Sequence, residues 1–142
     1  MNFSHLHLHN EHSLLDGFGS AESYVKEAKR IGFNYLGLTD HGNVDGLIKF
    51  QKACEKEKID SILGCEAYIV PDMTKKVKGE KRGHITLLVK DATGWKNLCQ
   101  MLTKANLDGF YYRPRIDYSC LLGHCEGLVI LTGCSASFLH LP

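Results

Sequence analysis

The sequence lacks several features that would place a chain in a common class at once. No apolar run is long enough to cross a bilayer, and the first residues carry no basic start followed by an apolar stretch. Neither a membrane segment nor a signal peptide is therefore predicted. The net charge of +1 gives no general attraction to nucleic acid or to membranes. The default expectation for 142 residues is a single domain in the cytoplasm.

Two nucleotide-binding motifs and the paired-cysteine motif are also missing. No GxGxxG or Walker loop follows the first predicted strand, so nucleotide binding of the Rossmann type has no support. The six cysteines form no CxxC pair and lack the spacing of a zinc finger. We therefore expect thiols without disulfides, five of them packed as small hydrophobes, with Cys134 a candidate for chemistry.

Histidine and leucine alternate at the start of the chain, from Phe3 to His9. Successive side chains of a strand point to opposite faces, so a strand here places His5, His7 and His9 on one face. Imidazole is a common ligand of zinc, iron and manganese, which makes this face a candidate wall of a metal site. His5 lies deeper and is expected to support the others. The alternative is an exposed edge strand whose polar residues face water.

Helical and extended patterns alternate along the rest of the chain. Apolar spacing predicts helices over 21–31, 44–57, 91–106 and, more briefly, 118–122. Apolar runs predict strands over 35–39, 61–70, 84–89 and 127–132. Repeated strand–helix units give parallel strands with helices outside, in either an open sheet or a closed barrel.

Two segments are expected to be irregular and exposed. Residues 72–83 are rich in lysine and arginine, which is typical of a solvated loop; a contact with a phosphate backbone is the alternative. Residues 110–116 combine aromatic and basic side chains.

Candidate metal ligands stand in or beside most of the predicted strands. They are His7, His9, Asp16, His41, Glu66, His84 and Cys134. Parallel strands bring their carboxyl ends to one edge, so these side chains are expected to converge, which favours a barrel with its site on that face. Seven ligand groups are too many for one zinc ion and suit two or three metal ions. Closely spaced metal ions are common in enzymes that hydrolyse phosphate esters. A His, Asp and Glu set fits zinc, manganese or iron.

Simpler roles are open to several of these residues. His41 also fits a turn, His84 an exposed position and Cys134 a packed thiol. Asp40 is expected to cap the helix that follows, or else to support a histidine. Glu66 is the strongest single candidate, because an unpaired carboxylate inside an apolar strand is costly.

The chain resembles a known family in short motifs that occur in order. HLH at 7–9, SLLDG at 13–17 and TDHGN at 39–43 resemble the first motifs of the PHP (polymerase and histidinol phosphatase) superfamily. One branch is closer. GCEAY at 64–68, HITLL at 84–88, GFYYRPRID at 109–117 and TGC at 132–134 are similar to the N-terminal PHP domain of bacterial replicative DNA polymerase III alpha subunits.

The resemblance implies a distorted (β/α)7 barrel that holds up to three divalent metals with nine ligands. The seven candidates match ligand positions, whereas the family's last two, in a late Asp-x-His motif, have no counterpart before Pro142. We therefore expect residues 1–142 to be a C-terminally truncated PHP domain with about the first five β/α units. Such a fragment would expose a sheet edge that favours self-association.

Two functions follow from the resemblance. In the first, the domain of a DNA-directed DNA polymerase is a metal-dependent phosphoesterase that trims 3′ ends of DNA as a 3′–5′ exonuclease. His41, Glu66 and His84 then act through bound metals. In the second, it is a catalytically silent, metal-stabilised scaffold that supports the polymerase and docks a proofreading exonuclease subunit or other replisome subunits. A stand-alone histidinol-phosphate-type phosphatase is a third alternative.

Overall fold

The computed structural model describes residues 3–135, 137 and 139. Contacts divide the chain into two units, with the boundary between Cys65 and Glu66.

The first unit contains two helices and a pair of parallel strands. Its elements are α1 (Ala21–Arg30), β1 (Tyr35–Leu38), α2 (Leu47–Glu57) and the first half of β2 (Asp60–Ile69). β1 pairs in parallel with β2, and α1 packs against α2. Strands and helices lie within a few residues of their predicted bounds.

Helix α1 shows how capping and apolar spacing define a helix locally. The Ser20 hydroxyl accepts a hydrogen bond from the backbone N–H of Ser23 at 3.2 Å, which satisfies one of the free donors at the helix start. Val25 and Ala28 are buried on the inner face. Arg30 in the last turn suits the negative end of the helix dipole.

The predicted first strand is wrong: residues 3–10 run beside β1 without forming a strand. Two backbone hydrogen bonds join the segments, from Gly37 N–H to the His5 carbonyl at 2.8 Å and from Thr39 N–H to the Leu8 carbonyl at 2.9 Å. The Leu8 N–H donates instead to the hydroxyl of Thr39 at 3.1 Å. A side chain thus takes the place of a backbone acceptor, and the ladder does not continue.

The second unit holds the end of β2 and the rest of the secondary structure. Its other elements are β3 (Gly83–Val89), α3 (Ala92–Leu107), β4 (Arg115–Ile116), α4 (Tyr118–Gly123) and β5 (Leu128–Leu131). The end of β2 pairs in parallel with β4, and β3 lies between β2 and β5. Helix α3 packs on β3, β4, β5 and α4.

Three features of this unit differ from the predictions. Residues 110–116 are not wholly irregular, because β4 forms there, and Arg115 is 1% exposed rather than open to solvent. β3 and β5 are antiparallel, not parallel. An apolar run reads the same in either direction, so the sequence pattern does not encode the orientation of a buried strand.

All six cysteines lie in the described part of the chain, and none of them forms a disulfide. Cys54, Cys65 and Cys120 are buried, as expected of small hydrophobes. The expectation of five packed thiols is too high, since Cys99 and Cys125 are only half-buried; Cys134 is exposed. Burial, with a smaller effect of the neighbouring Glu55, raises the pKa of the Cys54 thiol to about 11. This thiol is therefore protonated and inert at neutral pH.

Close backbone packing at Gly94 generates a first prediction. A Cβ there would collide with the carbonyl oxygen of Gly127, which already accepts a hydrogen bond from the N–H of Lys90 at 2.9 Å. Gly94→Ala is expected to lower the free energy of unfolding by about 1–3 kcal/mol, measured by urea denaturation.

The matched control is Gly123→Ala at the end of α4, where an added Cβ meets open space. Alanine favours a helix over glycine by about 0.5–1 kcal/mol, so this variant should be as stable as the wild type or more so. Equal losses in both variants would contradict this account of the packing.

Candidate metal centre

A buried carboxylate, Asp40, holds together the loops that carry the candidate ligands of the first unit. Its side chain is 1% exposed. One oxygen, Oδ1, accepts hydrogen bonds from the Asn10 N–H at 2.8 Å and from the Ser13 hydroxyl at 2.6 Å. The predicted helix cap is wrong, since α2 begins after Gly46. Asp40 instead joins the segment after β1 to the segment that follows His9.

Ser13 transmits this anchoring to two candidate ligands. While donating to Asp40, its hydroxyl oxygen accepts from the His41 N–H at 3.0 Å and lies 3.3 Å from Nδ1 of His9. Asn10 adds a further brace, because its side-chain oxygen accepts from the His12 N–H at 2.8 Å. Sequence reasoning missed both supports. Their burial, 1% exposed for Ser13 and fully buried for Asn10, depends on Asp40 and not on a local pattern.

Four predicted ligands of the first unit lie close together. Asp16 Oδ2 is 3.2 Å from Nε2 of His41 and 3.8 Å from Nε2 of His9. The His9 and His41 rings are stacked, with centroids 4.2 Å apart and planes 10° apart. His7 Nε2 is 3.1 Å from His9 Nε2. Ligand atoms of His9, Asp16 and His41 all lie within 4.8 Å of one another.

This donor set fits a divalent metal. Two imidazole nitrogens and a carboxylate oxygen are the ligand types that zinc, manganese and iron accept. The remaining ring nitrogen of His9 has a hydroxyl neighbour in Ser13, and such a partner fixes the tautomer of a ligating histidine. Asp16 is half exposed, which leaves the group open on one side.

The second unit gathers the other three predicted ligands. His84 Nδ1, at the start of β3, lies 3.2 Å from Oε1 of Glu66 in β2 and 3.8 Å from Sγ of Cys134 beyond β5. Glu66 is 1% exposed, so its carboxylate is buried, as its position in an apolar strand predicts. Cys134 is exposed and is therefore not the packed thiol of the alternative interpretation.

His5 does not join either group. Its ring packs edge-on against Phe3 at 5.0 Å and lies 5.5 Å from the ring of Phe33. It belongs to an aromatic cluster beside β1 rather than to the support of His7 and His9. The ligand roles of the seven candidates stay predictions, now with a geometry for each unit.

Residues 5–142 match the family model of the PHP domain. The chain belongs to the PHP domain family. It is 43% identical over 143 residues to the DNA polymerase III subunit alpha of Treponema pallidum, with 98% of this chain and 12% of the relative covered. It is also 43% identical over 141 residues to the same subunit of Aquifex aeolicus, with 93% and 12% covered. This PHP chain thus spans about an eighth of the length of these relatives.

Solved structures agree on the fold of the PHP chain. A candidate metal-dependent phosphoesterase from Bifidobacterium adolescentis superposes with a TM-score of 0.55 at 20% identity, over 74% of this chain and 34% of that one. An amidohydrolase from Chromobacterium violaceum gives a TM-score of 0.55 at 24% identity, over 72% and 32%. The predicted fold class, a part of a PHP-type α/β barrel, is confirmed. In the described residues, no helix is long and apolar enough to cross a membrane.

The role of Ser13 generates a second prediction. Ser13→Ala removes the hydroxyl that joins Asp40 to the His41 main chain and the His9 ring. Loss of such an outer partner typically weakens metal affinity about 10–100-fold, and we expect a loss of that size for Mn²⁺ or Zn²⁺ in calorimetric titration.

Ser23→Ala is the matched control, since the Ser23 hydroxyl is exposed and donates only to the Ser20 carbonyl at 2.8 Å among the described residues. It should bind metal like the wild type. Equal affinities of the two variants, or no metal binding by the wild type, would contradict the assignment of this centre.

Proposed function

We propose that this chain is the PHP domain of a DNA polymerase III alpha subunit and that it hydrolyses phosphate esters with bound divalent metals. The observation that carries the proposal is the group His9, Asp16 and His41, whose ligand atoms lie within 4.8 Å of one another. Membership of the PHP family and the identity of the relatives support the same proposal.

The residues of the first unit would hold the metal as follows. His7, His9 and His41 offer imidazole nitrogens, and Asp16 offers a negative charge that offsets the charge of a divalent cation. Two or three ions of zinc, manganese or iron, when bound, supply Lewis-acid chemistry that polarises a phosphoryl oxygen and lowers the pKa of a water molecule. Asp40 and Ser13 keep the ring of His9 and the backbone of His41 in place.

In the second unit, Glu66 and His84 are the corresponding candidate metal ligands. The Glu66 carboxylate is withdrawn from water, and its charge is stable there only beside a cation or a hydrogen-bond donor. His84 offers a nitrogen ligand, since its Nδ1 lies 3.2 Å from Oε1 of Glu66. Cys134 offers a sulfur ligand, since its Sγ lies 3.8 Å from the same Nδ1. His41, Glu66 and His84 thus contribute to catalysis as metal ligands.

The substrate we propose is the 3′ end of a DNA strand, cleaved as a 3′–5′ exonuclease during replication in the cytoplasm. The support is the identity of the relatives, which are subunits of a DNA polymerase. Other replisome subunits, including a proofreading exonuclease subunit, are the proposed partners. A stand-alone histidinol-phosphate-type phosphatase gains no support from these relatives.

A second candidate function is a metal-stabilised scaffold without turnover. It is favoured by three apolar side chains that stand out in the loop around Asp16. Leu14 is 75% exposed, Leu15 102% and Phe18 92%. Apolar side chains that cluster at a surface are typical of protein–protein contact sites and are unusual in loops that face only solvent. Such a loop suits docking to another part of a polymerase or to a proofreading subunit.

A third prediction separates these functions. A 3′-labelled primer is incubated with Mn²⁺ or Zn²⁺ and either this chain or a full-length alpha subunit that carries it. His7→Ala combined with His9→Ala should reduce cleavage by about 100-fold or more, since loss of an outer partner alone reduces activity about 10–100-fold.

His124→Gln is the control, because Nδ1 of His124 lies 2.8 Å from the Cys120 carbonyl and no candidate metal group of the described residues includes it. Its activity should equal that of the wild type. Unchanged cleavage by the double variant would refute the phosphoesterase proposal. Bound metal without cleavage, together with melting on chelation, would establish the scaffold function instead.

A further inference from the structure

The second unit contains a cleft of about 750 Å³ that the proposed chemistry leaves unexplained. Its lining combines aromatic, basic and ligand-type side chains, among them Lys81, Arg82, His84, Tyr111, Tyr112 and Arg115. We infer that this cleft binds a nucleotide of a single nucleic acid strand, with the base stacked on Tyr112 and the backbone phosphate held by Lys81 and Arg82. The inference rests on the proposed function, because it names the part of the substrate that the site containing His84 would receive.

Tyr112 is held in a conformation that aromatic residues rarely adopt. Its φ is +61°, in the left-handed region that a Cβ disfavours. The turn is closed by a hydrogen bond from the Tyr111 N–H to the Arg113 carbonyl at 3.1 Å. Yet the Tyr112 side chain is 72% exposed, so burial of the ring does not offset this strain. Strained residues of this kind concentrate at binding sites, where the backbone presents a side chain to a ligand.

Arg115 anchors the loop that forms the other wall of the cleft. This buried guanidinium donates to the Met73 carbonyl at 3.0 Å and the Lys75 carbonyl at 2.9 Å, and it pairs with Glu80 at 3.0 Å. Its carbon Cζ lies 5.3 Å from the centroid of the Tyr111 ring. The loop and the tyrosine turn are thus tied to one buried residue, and the cleft is a built feature.

The free aromatic surface of the cleft belongs to Tyr112. Arg115 already covers one face of the Tyr111 ring, and the Tyr111 and Tyr112 centroids are 4.5 Å apart with planes inclined by 59°. The exposed ring of Tyr112 is therefore the one available for stacking. Every base has a flat π face, so an exposed ring in a basic cleft is the usual element of single-strand binding.

The charges of the cleft favour a polyanion. Arg115 compensates the charge of Glu80. Lys81 and Arg82 are exposed, and neither forms an ion pair with the described residues. The lining therefore keeps an excess of positive charge next to Tyr112, which is the combination that holds a phosphate backbone and a base together. His84 in the same lining places the Glu66 and Cys134 group beside the bound strand.

The experiment measures binding by fluorescence anisotropy of a labelled oligothymidylate of about ten nucleotides, a length that one binding module typically spans. EDTA is present throughout, and the temperature is one at which circular dichroism shows the metal-free chain folded, so loss of metal affects neither the fold nor the result. Tyr112→Leu should weaken binding about tenfold or more, whereas Tyr112→Phe, which keeps the ring, should bind like the wild type. Combined Lys81→Gln and Arg82→Gln changes should weaken binding and reduce its salt dependence.

Tyr35→Leu is the matched control, since Tyr35 is 50% exposed on β1 and lies outside the cleft lining. An abasic oligomer keeps the phosphates and should bind about as weakly as oligothymidylate binds to Tyr112→Leu. The inference would be overturned if the abasic and natural oligomers bound equally well. It would also be overturned if Tyr112→Leu and Tyr112→Phe, both melting like the wild type, had equal affinities, or if polyglutamate competed as strongly as the oligonucleotide.

The two proposals fail separately. Combined His7→Ala and His9→Ala changes should leave binding in EDTA intact even where they abolish cleavage. Intact oligonucleotide binding without cleavage by the wild type would reject the phosphoesterase and keep the cleft. Cleavage by the wild type, together with unchanged oligonucleotide binding by Tyr112→Leu, would keep the phosphoesterase and reject the cleft.

Discussion

The candidate centre of the first unit depends on the buried carboxylate of Asp40. A carboxylate withdrawn from water is stable only when hydrogen-bond donors surround it, and the Asn10 N–H and Ser13 hydroxyl supply them. In satisfying Asp40, these donors draw the segment after His9 onto the end of β1. His41 is thereby brought to His9 and Asp16, which lie far from it in sequence, and ligand atoms of the three side chains come within 4.8 Å of one another.

A buried charge organises the second unit in a comparable way. Arg115 directs its donors to Glu80 and to three backbone carbonyls, those of Met73, Lys75 and Gly109. A strongly basic loop is therefore held against a tyrosine turn instead of moving freely in solvent. Removing one member of such a network would leave an uncompensated buried charge, so its members stabilise one another. One buried charge therefore positions a group of candidate metal ligands, and another positions a basic, aromatic cleft.

The sequence predicted what local patterns encode and missed what distant contacts decide. Helix α1 was predicted over 21–31 and spans Ala21–Arg30, because capping and apolar spacing are local. β4 has two residues, too few to leave a pattern, and the direction of β5 has no local signature. The seven candidate ligands could be chosen by residue type. The supporting roles of Ser13 and Arg115 could not, since Asp40 lies 27 residues from Ser13, and Lys75 and Met73 lie 40 and 42 residues from Arg115.

We propose above all that His9, Asp16 and His41 hold a divalent metal. Anomalous diffraction from crystals of the chain soaked in Mn²⁺ or Zn²⁺ tests it most directly. The account predicts an anomalous peak about 2.0–2.2 Å from one nitrogen of each histidine and from a carboxylate oxygen of Asp16. A saturated crystal with no peak among these three side chains would contradict it.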